Sequence, residues 1–154
     1  MTERLQIQQL LDACVSHAQT LGVFERVNGH EPKNPPGYGL SAAYWVQRIT
    51  PVAAASGLAS TSVRLELGAR LYSPADTTDP DLIDPNLVDA ADLLMAAYSG
   101  DFTLGGLVEE VDLLGAYGDP MDAEAGYLEQ DGATYRVMTI TVPLIVDDLW
   151  TQEA

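Results

Sequence analysis

Apolar side chains recur at spacings of three and four through Ile7, Leu10, Leu11, Cys14, Ala18 and Leu21, the mark of one helical face turned toward a core. Thr2 offers an N-cap, and Gly22 stands where a helix C-terminal glycine belongs, so the spacing predicts a helix over 3–21. A second stripe runs through Leu87, Val88, Ala91, Leu94, Met95 and Tyr98. Asp84 before Pro85 opens it as N-cap and first helical residue, and Gly100 closes it. Asp84, Asp89 and Asp92 fall toward its N-terminal half, where the helix dipole favours negative charge.

Elsewhere the period is two. Val63, Leu65, Leu67, Ala69 and Leu71 alternate with Arg64, Glu66, Gly68 and Arg70, which predicts a strand over 61–72 with one face on a core and the other exposed. Further strands are expected over 23–28, 42–52, 107–114, 125–130 and 134–146, with Asp131-Gly132 as a hairpin turn between the last two. The order α-β-β-β-α-β-β-β describes an α+β domain spanning 1–154, mainly antiparallel, with two helices packed on one face of the sheet. Neither an internal repeat nor a domain boundary is visible. Four loops interrupt the elements: 29–40 with Pro32, Pro35 and Pro36, then 53–60, 73–83 and 115–122. A stretch of 12 residues without regular structure, as in 29–40, is long for a compact domain and is usually functional or mobile. These loops are the expected docking surfaces.

Composition adds a bound and a bias. A chain of 154 residues, 47% apolar, has material for a real core without disulfides or metal. Cys14 is the one cysteine, so an intrachain disulfide and multi-cysteine zinc sites are excluded, which suits a reducing compartment. Glutamines at 6, 8 and 9 break up any secretory leader in Met1–Leu10, and no stretch reaches the ~18 apolar residues of a membrane span. A soluble protein with no membrane partner is expected. The net charge of −16 is unevenly spread. Residues 1–75 carry six basic side chains against five acidic ones, whereas 76–154 carry Arg136 alone against eighteen acids. Gripping a nucleic-acid backbone takes clustered Lys and Arg, so nearby DNA would be repelled rather than held.

Candidate chemistry is sparse. Cys14 and His17 are three apart on a helix and could form a thiolate pair, but Cys14 sits in mid-stripe and reads as a buried small hydrophobe beside a histidine at the core edge. His30 has no third partner for catalysis. Asp76, Asp79, Asp81 and Asp84 fail the calcium-loop spacing, since the sixth and twelfth positions from Asp79 are Asp84 and Ala90. Gly37-Tyr38-Gly39 and Gly105-Gly106 lack the rest of a dinucleotide or phosphate-loop motif and read as turns. Glu109, Glu110 and Asp112 are the candidates for paired acid–base work. Alternation instead turns Glu110 and Asp112 toward solvent or a partner and Val111 and Leu113 toward the core. No catalytic residue, cofactor or metal is expected.

The element order, size and acidic second half resemble the tail terminator proteins of phages with long non-contractile tails. The segment Asp84-Pro-Asn-Leu-Val-Asp-Ala-Ala-Asp-Leu-Leu-Met-Ala-Ala-Tyr-Ser-Gly-Asp-Phe-Thr-Leu-Gly-Gly is similar to versions from phages of actinobacteria. So are Val111-Asp-Leu-Leu-Gly-Ala-Tyr-Gly, Tyr127-Leu-Glu and Tyr135-Arg-Val-Met-Thr-Ile-Thr-Val-Pro-Leu-Ile-Val. The resemblance covers roughly residues 1–150 and implies a virion structural protein without enzymatic activity, assembled in the host cytoplasm. It implies a homo-hexameric ring that caps the tail tube, ends its polymerisation and meets the head connector, with DNA passing through unbound. Neighbouring neck and tail proteins, a head–tail joining ring or a tube subunit, share such a role, and a small α+β ligand-binding domain or enzyme is the alternative outside it. In a ring, Arg64 and Arg70 are expected as exposed bases meeting a neighbour's acidic half, with Tyr38, Tyr117 and Trp150 as aromatic anchors. Asp76, Asp79, Asp81, Glu110 and Asp112 are expected on the lumen or the solvent face.

Overall fold

The computed structural model describes residues 4–24, 26–28, 40–52, 60–74, 83–130 and 132–151. Helix α1 (Ile7–Leu21) leads into β1 (Arg26–Asn28), β2 (Ser41–Val52) and β3 (Ser60–Pro74). Helix α2 (Ile83–Gly100), the short β4 (Glu110–Val111), β5 (Asp122–Gln130) and β6 (Ala133–Thr151) follow. The fold is α+β, in the element order expected. The sheet runs β1-β2-β3-β6, and both β4 and β5 line the far edge of β6. β5 takes the first half of that edge (Ala133–Thr141) and β4 takes Leu144 and Ile145. Every pairing is antiparallel except β1 with β2.

Both helices cover one face. Leu10, Leu11, Cys14 and Ala18 of α1 and Leu87, Ala91, Leu94 and Tyr98 of α2 pack on Tyr44, Leu65, Leu67, Leu71, Ile140, Val142 and Leu144 of the sheet. Each large apolar side chain sealed there contributes about 1.5–3 kcal/mol. Gly22 ends α1 in the left-handed conformation expected of it (φ 71°). β5 and β6 pair to their ends, with Gln130 opposite Ala133 and Gly132 at φ 80°, while Asp131 of the expected turn lies outside the described residues.

Some boundaries differ. α1 begins at Ile7 with Gln6 at its cap, not at Glu3 after a Thr2 cap. Leu5 and Ile7 both pack against the core. Two residues apart on a helix they would point about 200° apart, so the chain stays irregular until Ile7. α2 begins at Ile83, which places Asp84 and Pro85 inside its first turn. Ala90 takes the buried place expected of Val88, which is 53% exposed.

The strand expected over 107–114 shrinks to Glu110–Val111. Leu104, Gly105 and Gly106 take positive φ (48°, 67° and 92°) in a 3-10 turn, and the Asp101 carboxylate accepts the Gly105 N–H at 3.0 Å. Buried Leu104 and Val108 thus reach the core from a coiled segment rather than a pleated one.

β6 is longer than expected and absorbs two irregularities. Pro143 offers its carbonyl to the Asp112 N–H at 2.8 Å, so its missing donor faces the short β4 and not the β3 ladder. Near the end, the β3 register shifts from Val146 to Trp150 around Ser62. Ser62 Oγ donates to Asp147 Oδ1 (3.2 Å) and accepts from the Asp148 N–H (3.1 Å), while Asp148 stands at φ 49°. Such a bulge bends a strand and raises its local twist.

Candidate functional site

The sheet face away from the helices was expected to be open, and the part around Arg64 is not. The segment 112–121 crosses over β3 and β6, burying Arg64 to 4% exposure and Ile145 completely. Arg64 Nη1 donates to Asp112 Oδ2 at 2.6 Å and Nε to Glu66 Oε1 at 3.2 Å, and Nη2 donates to the Asp119 carbonyl. Asp112, itself 2% exposed, also accepts the Ala116 N–H (2.7 Å) and the Tyr117 N–H (2.9 Å). Gly118 lies flat on the guanidinium, where a Cβ would stand 2.8 Å from Arg64 Cζ. Burial of a charge is tolerated only when it is paired and hydrogen-bonded, and this pair holds the crossing segment to the sheet. Arg64 and Asp112 are therefore an internal lock. Alternation placed both on the correct face but could not show that the chain itself covers it.

The other candidates on this face are partly engaged. Arg70 is half-buried, with its guanidinium 5.0 Å over the Trp45 ring and Nε donating to Thr139 Oγ1. Gly68 makes room for Trp45, whose ring carbons would lie 2.8 and 2.9 Å from an added Cβ. Glu110 is half-buried beside Asp112, and burial first, then Asp112, Glu109 and Asp147, push its carboxyl up from the ordinary value. Tyr117 and Trp150 are both half-buried. Tyr38, Asp76, Asp79 and Asp81 lie outside the described residues, as do His30 and, apart from their ends, the loops 29–40, 53–60 and 73–83.

Under the helices, Tyr44 and Tyr98 meet hydroxyl to hydroxyl at 2.6 Å, and Tyr98 donates on to the Cys14 carbonyl at 3.0 Å. Cys14 is fully buried, and that burial pushes its thiol up to about 12. The thiolate a nucleophile needs is thereby suppressed. His17 turns outward instead, donating through Nε2 to Asp101 Oδ2 at 3.0 Å with its ring edge-on to Tyr98. Asp101 is held below the ordinary carboxylate value, first by the Gly105 N–H and then by His17. This contact ties α1 to the turn after α2. No group of three or more His, Cys, Asp and Glu among the described residues could hold a metal ion.

Sequence reasoning missed a surface on the helix side. Val88, Ala91 and Met95 of α2, Ala123 of β5 and Met138 of β6 line an apolar groove of about 470 Å³, with Asp89 and Asp92 at its rim. It adjoins β5, which carries Asp122, Glu124 and Glu129 and no base. The readable signal was Val88, an apolar residue one step outside the buried stripe.

Fold and surface together define an α+β domain whose second half is an acidic surface. No known family model matches the chain, and none of the curated proteins matches it. Among the described residues, no helix is long and apolar enough to cross a membrane.

Proposed function

We propose that this chain is a virion structural protein, the tail terminator of a long non-contractile phage tail. Six copies form a ring that caps the tube, ends its polymerisation and presents a face to the head connector. The observation that carries this reading is the acidic surface of the second half. Asp89, Asp92, Glu109, Asp119, Asp122, Glu124, Glu129, Asp147 and Asp148 are all exposed, while Arg64 is withdrawn to the interior. A ring of six would carry about −96, six times −16. Screening confines repulsion to about 8 Å at physiological salt, so such a ring tolerates these acids where they face solvent or a water-filled lumen. DNA phosphates would pass that lumen without being gripped. The α+β element order fits the sequence resemblance, and the charge asymmetry supplies two unlike surfaces, which a head-to-tail ring contact requires.

The test is the mass of the purified chain, alone and with preformed tail tubes, read with negative-stain images. A closed ring found only at tube ends supports the terminator role. Unlimited self-stacking makes the chain a tube subunit, and a ring that ignores tube ends but binds the connector makes it a joining ring. A monomer indifferent to tubes overturns the proposal.

A further inference from the structure

Two edges of the sheet complement one another. Among the described residues, β5 pairs along its nine residues with β6 alone, and β2 beyond Ala43 pairs with β3 alone. We infer that the chain associates with a second copy head to tail, the outer edge of β5 in one copy receiving the Arg48–Thr50 stretch of β2 from the next. The inference rests on the proposed function only in taking the chain to assemble with itself; it names the surfaces that meet.

Charge selects the pairing. β5 carries three acids and no base, and β2 carries Arg48 and no acid. Pairing β5 with β5, or β2 with β2, brings like charges together across a strand pair, which is destabilising. Pairing β5 with β2 brings opposite charges together. The favoured contact therefore joins two different surfaces, which builds a ring or an open chain of copies rather than a two-fold dimer.

The side chains fit on both faces at once. Asp122 and Glu124 stand opposite Thr141 and Thr139, on the face that carries Arg64. Arg48 stands opposite Glu66 on that same face, whereas Ile49 stands opposite Leu65 on the helix face. Ile49 is 43% exposed. With the helices of both copies on one side, Arg48 falls beside the acids of β5, and Ile49 falls beside Ala123 at the groove formed by Val88, Met95 and Met138. Within the subunit β5 runs antiparallel to β6 and β2 runs parallel to β6. A copy related by rotation about an axis along the strands therefore presents β2 antiparallel to β5, continuing the ladder.

The contact is short. Gln47 is passed over where the β2–β3 register shifts, and Pro51 has no N–H to offer. Such features normally blunt an edge, and here they leave Arg48–Thr50 as the pairing stretch, so the matched side chains decide the partner.

The test uses the full chain with single cysteines, Arg48→Cys in one preparation and Glu124→Cys in another; Cys14 is fully buried and does not compete. Under mild oxidation at high protein concentration, a disulfide-linked dimer is expected in the mixture and in neither preparation alone. The double variant should give a ladder of higher species. A crosslink within Glu124→Cys alone, or none in the mixture, overturns the inference. In sedimentation, Arg48→Glu and Glu124→Arg should each weaken association about tenfold, and their combination should restore most of it. An assembly indifferent to both swaps overturns this contact and leaves the ring reading standing. Association that follows the swaps but never caps tubes upholds the contact and overturns the terminator role. A chain that stays monomeric at every concentration overturns the inference outright.

Discussion

Replacing Asp112 with alanine tests whether the Arg64 lock holds the crossing segment. The change removes the acceptor of three hydrogen bonds, from Arg64 Nη1 at 2.6 Å, Ala116 N–H at 2.7 Å and Tyr117 N–H at 2.9 Å. Breaking a buried ion pair from one side costs about 3–5 kcal/mol, because the surviving charge stays buried and unmatched. Arg64 keeps Glu66 and the Asp119 carbonyl, which places the expected loss near the lower end, about 3 kcal/mol. For a domain of this size that corresponds to a fall in Tm of about 6–12 °C. Urea denaturation and a thermal melt measure it directly. Limited proteolysis should also cut within 113–121 well before the rest of the chain, since that segment loses its anchor. The double variant Arg64→Met with Asp112→Asn should be more stable than Asp112→Ala, since no unmatched charge is left inside and one amide oxygen still accepts from the loop. A loss under about 1 kcal/mol, the scale of an exposed surface pair, would refute the lock.

Three further outcomes follow from the buried network and the two perturbed carboxyls. Tyr98→Phe strands the buried Tyr44 hydroxyl and should cost about 1–3 kcal/mol, whereas Tyr44→Phe leaves the Tyr98–Cys14 bond intact and should cost less. Urea midpoints give the order, and the reverse order contradicts the network. Cys14, its thiol pushed up to about 12, should react with a thiol reagent at pH 8 only as fast as the protein opens; rapid stoichiometric labelling of the native chain contradicts its burial. Asp101 and Glu110 should show opposite pH dependence. The lowered Asp101 pKa contributes stability present above the ordinary value of 3.8 and lost as pH falls further, so Asp101→Asn is destabilising at neutral pH with a deficit that narrows in acid. The raised Glu110 pKa makes the folded state lose stability as pH rises from 4.5, so Glu110→Gln should stabilise at neutral pH and be neutral well below 4.5. Stability-versus-pH curves of the two variants check both signs.

What could be read from the chain alone was whatever depends on neighbours in sequence. The stripe from Leu10 to Ala18, the alternation from Val63 to Leu71 and the pairing of β5 with β6 about Gly132 are local patterns, and each is realised. The failures lie where remote segments compete. Leu107–Leu114 alternates well enough for a strand, but Leu104–Gly106 adopts left-handed geometry under the Asp101 cap and only Glu110 and Val111 reach β6. Arg64 and Asp112 were assigned to the right face by alternation, yet alternation is silent on what lies over that face. One signal was available, since an Asp three residues before Gly115 in a loop readily accepts backbone N–H groups from the turn it starts.

With Arg64 spent internally, and Arg70 and Arg136 held over the rings of Trp45 and Tyr127, Arg4 and Arg48 are basic side chains that stand exposed. An acidic chain that assembles with itself must bring some base to some acid, or leave its acids out of the contact. Of these two, Arg48 is the one on a sheet edge, and β5 is the acidic edge strand. Few bases on a strongly acidic surface mean few ways to dock, so in the proposed assembly the scarcity of positive charge itself favours a single register between neighbours.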